Sequence, residues 1–159
     1  MISGMYLGEL VRLIILDFIE SELIFVEEMN MVHYRHALFT KGSFYAKYLH
    51  EIQSDNDNYS NTKRIMQEVA GVVNGNNDDY AVIKYICQLI TSRAAKLSAA
   101  ALTVLLHRMN KKNVSIAVDG SLFRYHPYLQ LELESVLTNL LDPSIKVRLV
   151  LIKEEISFN

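Results

Sequence analysis

The 159-residue chain has a single cysteine, which excludes an internal disulfide. Cys87 lies in an apolar run between Ile83 and Ile90, so we expect its thiol to pack as a small hydrophobic group in a reducing cytosol. The chain also lacks a strong net charge, because its formal value is -2. Composition therefore provides no broad electrostatic attraction to nucleic acid or to anionic lipid.

Several catalytic and binding patterns are missing as well. The five histidines, His33, His36, His50, His107 and His126, include one close pair but no zinc-ligand pattern with cysteine or carboxylate. Neither Ser98 nor Cys87 lies in a hydrolase or thiol-enzyme signature. The aromatic residues follow core spacing and form no stacking platform for bases. The sequence therefore predicts no metal site, no nucleic-acid partner and no hydrolase.

What is present is apolar material, at 50% of the residues, which suffices for one core. We expect residues 1–159 to form one domain or part of one, located in the cytoplasm. An apolar stretch at residues 10–19 is interrupted by Arg12 and Asp17 and has no basic leader. This pattern favours a buried helix over a signal peptide or a transmembrane segment.

Apolar spacing predicts four helices in the first two thirds of the chain, over residues 6–25, 43–53, 62–73 and 78–109. Ser43 is the predicted N-cap of the second helix, because its hydroxyl can accept hydrogen bonds from the first turn. The fourth helix is long, apolar and rich in alanine. We expect it to be a buried central helix.

The pattern then changes to short β-branched runs. The sequence predicts strands at residues 114–118 and 146–152, with a helix between them at residues 126–141. A turn is predicted at Asp119-Gly120-Ser121, directly after the first strand. Such a unit usually makes two parallel strands joined by a right-handed crossover. The predicted class is α/β, rich in helix, with a C-terminal strand–helix–strand.

Four segments resemble eukaryotic hexokinases and occur in the order found in that family: residues 1–12, 40–44, 91–100 and 118–127. The first, which reads MISGMYLGELVR, resembles a signature stretch of the family over nine or more consecutive positions. The resemblance covers nearly the whole chain and implies the C-terminal part of the large lobe of an actin-like, ribonuclease-H-related fold. It also implies ATP with Mg²⁺ as phosphoryl donor and the 6-hydroxyl of a hexose as acceptor.

The resemblance further implies which positions contact ATP. They fall in three segments rich in glycine or near helix starts, where backbone can approach phosphate closely. The implied ATP-binding residues are Gly4, Met5, Thr40, Lys41, Gly42, Ser43, Phe44, Asp119, Gly120, Ser121, Leu122 and Phe123. Each segment also has a purely structural interpretation as a helix start, a turn with a cap, or a common turn pair.

The resemblance places the family's glycine-rich first phosphate loop, sugar-binding loops and catalytic aspartate upstream of Met1. No catalytic, hexose-binding or metal-binding residue is therefore expected within these 159 residues, and Glu9 is expected to act as a cap or in a salt bridge. After the last strand the family continues into a Gly-Ser-Gly-Lys turn, whereas this chain reads KEEISFN. The chain by itself is expected to be inactive.

Two alternatives to an ATP-binding part of a kinase stay open at this point. The chain could be a non-catalytic binding or regulatory pseudoenzyme, in which a protein partner covers apolar surface that the rest of the lobe normally hides. It could also be an incomplete gene product.

Overall fold

The computed structural model describes residues 2–27 and 37–152. Within these ranges the chain forms six helices and two strands. In chain order they are α1 (Gly4–Glu20), α2 (Ala46–Gln53), α3 (Ser60–Ala70), α4 (Asn77–Met109), β1 (Asn113–Val118), α5 (Ser121–Tyr125), α6 (Pro127–Leu140) and β2 (Lys146–Leu151). The prediction of a helix-rich α/β chain that ends in strand–helix–strand is confirmed.

The chain divides into two compact units, Met1–Arg93 and Ala94–Asn159. The boundary falls inside α4, so this helix contributes residues to both units. That residues 1–159 belong to one partial domain stays a prediction. The candidate ATP-binding residues of the first two segments lie in the first unit, and those of the third segment lie in the second unit.

The core of the first unit is formed by the apolar faces of its helices. Leu7, Val11 and Ile15 of α1 are fully buried, as the three- and four-residue spacing predicts. The predicted inward stripe Phe44, Tyr48 and Ile52 is also buried, as are Ile65, Met66 and Val69 of α3. Cys87 is buried too, which confirms its expected packing as a small hydrophobic group.

In the second unit, β1 and β2 pair in parallel, with a register that runs from Asn113 opposite Lys146 to Val118 opposite Leu151. Helices α5 and α6 form the connection. Leu129, Leu133 and Leu137 lie four residues apart on α6 and are buried. The predicted parallel pair is confirmed.

Several local predictions are wrong. Ser43 does not cap α2, because the N-cap is Tyr45, which has an extended backbone, and the helix begins at Ala46. Helix α3 ends at Ala70 because Gly71 adopts a left-handed conformation, with φ of 71°. Val73 consequently lies outside that helix and is exposed. The five-residue helix α5 stands where the sequence predicted only a turn.

Helix α4 has nearly the predicted bounds but is not buried along its length. Ile83, Cys87, Ala94, Ala95 and Ala99 are buried, whereas large apolar side chains on other faces are exposed, namely Tyr85, Leu89, Leu97, Val104, Leu105 and Met109. Among the described residues, α4 is the one helix whose length and composition would suffice to cross a membrane. Core helices of globular proteins have the same length and composition, so this property alone does not indicate a transmembrane helix.

Candidate functional site

The start of α1 packs closely against the segment that leads into α2. A Cβ atom placed on Gly8 would stand 2.0 Å from the carbonyl oxygen of Phe44 and 3.3 Å from the backbone nitrogen of Ala46. These neighbours are backbone atoms, which cannot move aside as a flexible side chain can. Glycine is therefore required at position 8 for this approach.

Two charged residues of α1 hold the turn at residues 38–42. Glu9 Oε1 and Oε2 accept hydrogen bonds from Arg12 Nη2 and Nε at 2.7 and 2.9 Å, and Glu9 Oε2 also accepts one from the Gly42 amide at 3.0 Å. Arg12 Nη1 donates to the carbonyl oxygen of Leu38 at 2.6 Å. The salt-bridge role expected of Glu9 is confirmed.

The surroundings of Glu9 favour its charged form. The hydrogen bond from the Arg12 guanidinium, helped by the Gly42 amide, lowers the pKa of Glu9 from 4.5 to about 2. The same ion pair raises the pKa of Arg12 above its usual value. Both side chains are therefore ionised at neutral pH.

Several amides of this turn already donate within the protein. Thr40 N donates to Ala37 O at 2.8 Å, Ser43 N donates to Thr40 O at 3.2 Å, and Gly42 N donates to Glu9. Gly42 has φ of 80°, which suits glycine in the turn. Contact with a phosphate at this turn would therefore come from side chains rather than from these three amides. Ser43 Oγ is buried and forms no hydrogen bond to the described residues.

The third segment lies at the carboxyl end of β1. Ligands of open α/β sheets bind beyond this edge, because the loops that leave parallel strands converge there. Gly120 has φ of 135° and ψ of 141°, a conformation that residues with a Cβ rarely adopt, and α5 begins directly after it. Arg124 Nη2 donates to Ile152 O at 3.0 Å, and Ile152 N donates to Val118 O at 3.0 Å. These bonds hold the ends of both strands next to the turn.

The candidate ATP-binding residues differ in their exposure to solvent. Gly4 and Met5 are the first two residues of α1 rather than preceding it, and Met5 is 71% exposed. Thr40, Lys41, Gly42, Asp119, Gly120 and Ser121 are also exposed, whereas Ser43 and Leu122 are half-buried. Phe44 and Phe123 are buried in the cores of their units, at 2% and 8% exposure. Their side chains pack as core residues and do not face solvent.

Sequence reasoning missed three residues that support these segments, namely Gly8, Arg12 and Arg124. The spacing of Glu9 and Arg12 by three residues is a signal for an ion pair on one helix face. No local pattern could indicate their bonds to Gly42 and Leu38, which lie more than 25 residues away along the chain.

Other features of the described residues lie apart from the three segments. A cavity of about 380 Å³ opens between α6 and β2, with Leu137, Leu141 and Leu149 among its lining residues. The described residues contain no group of three or more histidine, cysteine, aspartate or glutamate side chains that could hold a metal ion. His33 and His36 lie outside the described residues.

The family model described as hexokinase matches residues 1–157. A hexokinase of Brugia malayi is 30% identical over 151 residues, and hexokinase-1 of Homo sapiens is 33% identical over 134 residues, which are 94% and 80% of this chain. A structure of hexokinase from Schistosoma mansoni complexed with glucose superposes with a TM-score of 0.82 at 29% identity and covers 94% of this chain.

The helix-rich architecture with its parallel strand pair is thus part of the actin-like ATPase fold. The chain belongs to the hexokinase family. It spans 25% of the length of the Brugia malayi relative, 14% of human hexokinase-1 and 33% of the Schistosoma mansoni chain. The match extends over all three candidate segments.

Proposed function

We propose that this chain supplies ATP-binding elements of a hexokinase, an enzyme that transfers the γ-phosphoryl group of ATP to the 6-hydroxyl of a hexose. The observation that carries the proposal is the family match over residues 1–157. The glucose complex of the Schistosoma mansoni relative supports a hexose as the acceptor. Mg²⁺ would enter with ATP, because Mg²⁺ is commonly held by substrate phosphates.

The chemistry of the exposed groups supports phosphate binding at residues 40–43. Lys41 provides an exposed ammonium group, and Thr40, which is also exposed, provides a hydroxyl group next to it in the chain. Ser43 Oγ is buried and does not add to these exposed groups. Hydrogen bonds from charged donors to phosphate are stronger than those between neutral groups. We assign the triphosphate to this turn. In the second unit, the family resemblance implies nucleotide-contacting residues at Asp119, Gly120 and Ser121, at the carboxyl edge of β1.

We also propose that the 159 residues by themselves do not phosphorylate hexose. They correspond to a quarter of the length of the Brugia malayi hexokinase. The family resemblance places the catalytic aspartate, the first phosphate loop and the sugar loops in sequence that precedes the matching segments. Phosphoryl transfer needs a group to accept the hydroxyl proton as well as groups that bind phosphate. A cytoplasmic location stays a prediction that rests on Cys87.

The experiment that tests the proposal measures binding and turnover on the same purified 159-residue chain. Titration calorimetry with Mg-ATP is expected to show binding, and coupled detection of ADP is expected to show no glucose-dependent turnover. Lys41→Ala should weaken ATP binding roughly tenfold through loss of a charge-assisted bond. Lys96→Ala removes the same charge from an exposed position of α4 and should leave the affinity unchanged.

Each part of the proposal has its own contrary result. Absence of ATP binding by the folded chain would contradict nucleotide binding, and glucose-dependent ADP formation would contradict inactivity.

A second candidate function is that of a non-catalytic protein that binds a partner through the exposed apolar side chains of α4. It is favoured by Tyr85, Val104 and Leu105, at 58%, 67% and 56% exposure. Stoichiometric complex formation without ATP binding would support it.

A further inference from the structure

Glu9 and Arg12 lie outside the three candidate segments, yet both contact the turn that carries Thr40, Lys41 and Ser43. Glu9 accepts from Gly42 N, on the C-terminal side of Lys41, at 3.0 Å. Arg12 donates to Leu38 O, on the N-terminal side, at 2.6 Å. Glu9 and Arg12 are therefore hydrogen-bonded to the two ends of the five-residue stretch 38–42.

The pair is well suited to act as a rigid support. Its two parallel hydrogen bonds, at 2.7 and 2.9 Å, fix the guanidinium plane relative to the carboxylate. The side chains of Arg12 and Glu9 are only 7% and 16% exposed, so water competes weakly for these bonds. Both residues stand on α1, which is anchored through the buried Leu7, Val11 and Ile15.

Two backbone hydrogen bonds, from Thr40 N to Ala37 O and from Ser43 N to Thr40 O, lie within the turn, and Glu9 and Arg12 add the side-chain bonds that join it to α1. Residues 37–45 form neither helix nor strand, and Gly42 allows the backbone many conformations. Ordering such a segment on binding costs conformational entropy, and a support that orders it beforehand removes that cost from the binding step. Arg12 also balances the negative charge of Glu9, which would otherwise repel a phosphate near Lys41.

We propose that Glu9 and Arg12 are positioning residues that hold residues 38–42 in the conformation that binds the ATP phosphates. This inference rests on the proposed function and deepens it, because it assigns to α1 a role in phosphate affinity without contact with the nucleotide. The affinity for adenosine, which has no phosphate, should therefore not depend on Glu9 and Arg12.

The test compares ATP and adenosine affinities of the 159-residue chain and three variants. Glu9→Gln keeps the size of the side chain but removes the ion pair, and Arg12→Lys keeps the charge but replaces the planar group that serves both Glu9 and Leu38. Each should weaken Mg-ATP binding roughly five- to tenfold and change adenosine binding less than about twofold. Asp17→Asn, at an exposed position of α1, removes one charge as a control and should change neither.

The outcomes separate this inference from the proposed function. No ATP binding by the unsubstituted chain would overturn both. ATP binding that is equal in the unsubstituted chain, Glu9→Gln and Arg12→Lys would overturn the positioning role alone. An equal loss of ATP and adenosine affinity, or a loss of helical circular dichroism in both variants, would assign the pair to folding and likewise overturn it. Selective loss of ATP affinity at full helicity would support it.

Discussion

Gly8→Ala is expected to lower the free energy of unfolding by about 3 kcal/mol, at the upper end of the range for an overpacked site. The added methyl group would lie 2.0 Å from Phe44 O and 3.1 Å from the Phe44 carbonyl carbon. The contact can be relieved only if α1 or the backbone before α2 moves. Such a movement would also disturb the bonds that Glu9 makes one residue further along α1.

Urea unfolding followed by circular dichroism measures this effect. Leu13→Ala, at an exposed position of the same helix, is the control and should change the free energy of unfolding by only about 0.5 kcal/mol. Comparable midpoints for Gly8→Ala and Leu13→Ala would show that α1 does not approach the Phe44 backbone as closely as described.

Gly120→Ala is expected to destabilise the chain by about 1–3 kcal/mol for a different reason, namely backbone strain. Among the described residues other than its two chain neighbours, none has an atom within 4 Å of a Cβ placed on Gly120, so overlap with residues distant in the chain does not contribute. The cost comes from φ of 135°, and relief of that strain would shift Asp119 and Ser121 away from the end of β1.

Replacing glycine with asparagine distinguishes backbone strain from other causes of destabilisation. Asparagine tolerates the left-handed region, so Gly42→Asn, at φ of 80°, should cost about 1 kcal/mol or less. Gly120→Asn should cost as much as Gly120→Ala, because asparagine does not tolerate φ of 135°. Equal unfolding midpoints for the unsubstituted chain and both Gly120 variants would contradict the described backbone conformation.

The existence and type of the regular elements could be predicted from sequence where a long periodic pattern exists. Their ends could not always be predicted, because the first helix was expected over residues 6–25 and is Gly4–Glu20. The long helix α4 and the two strands were predicted to within about one residue at each end, because periodicity and β-branched runs are local properties. Helix α5 could not be predicted, because five residues are too few to reveal a period. The start of α2 was misplaced at Ser43, because the backbone at Phe44 packs against Gly8, a contact between distant parts of the chain.

Composition was a poor guide to burial on α4. Alanine and leucine predicted a buried helix, but Leu89, Leu97 and Leu105 are about half exposed. Apolar content alone does not distinguish a helix covered on all sides from one covered on one side. The orientation of each face depends on which other elements pack against it, and a single sequence does not contain that information.

The candidate site could be located from the family resemblance but not understood from it. The resemblance indicated residues 40–44, yet three amides of that turn donate within the protein, and Phe44 packs in the core. The network of Glu9 and Arg12 joins residues 26 to 33 positions apart. Such contacts arise only when the helix and the turn have folded together.

Hydrogen exchange of the backbone amides with and without Mg-ATP tests the central claim most directly. ATP is expected to slow exchange in residues 40–44 and 119–123 and to leave residues 137–149, beside the cavity between α6 and β2, unchanged. Slowed exchange confined to that cavity, or unchanged exchange in both candidate segments at saturating Mg-ATP, would contradict the assignment of these segments to nucleotide binding.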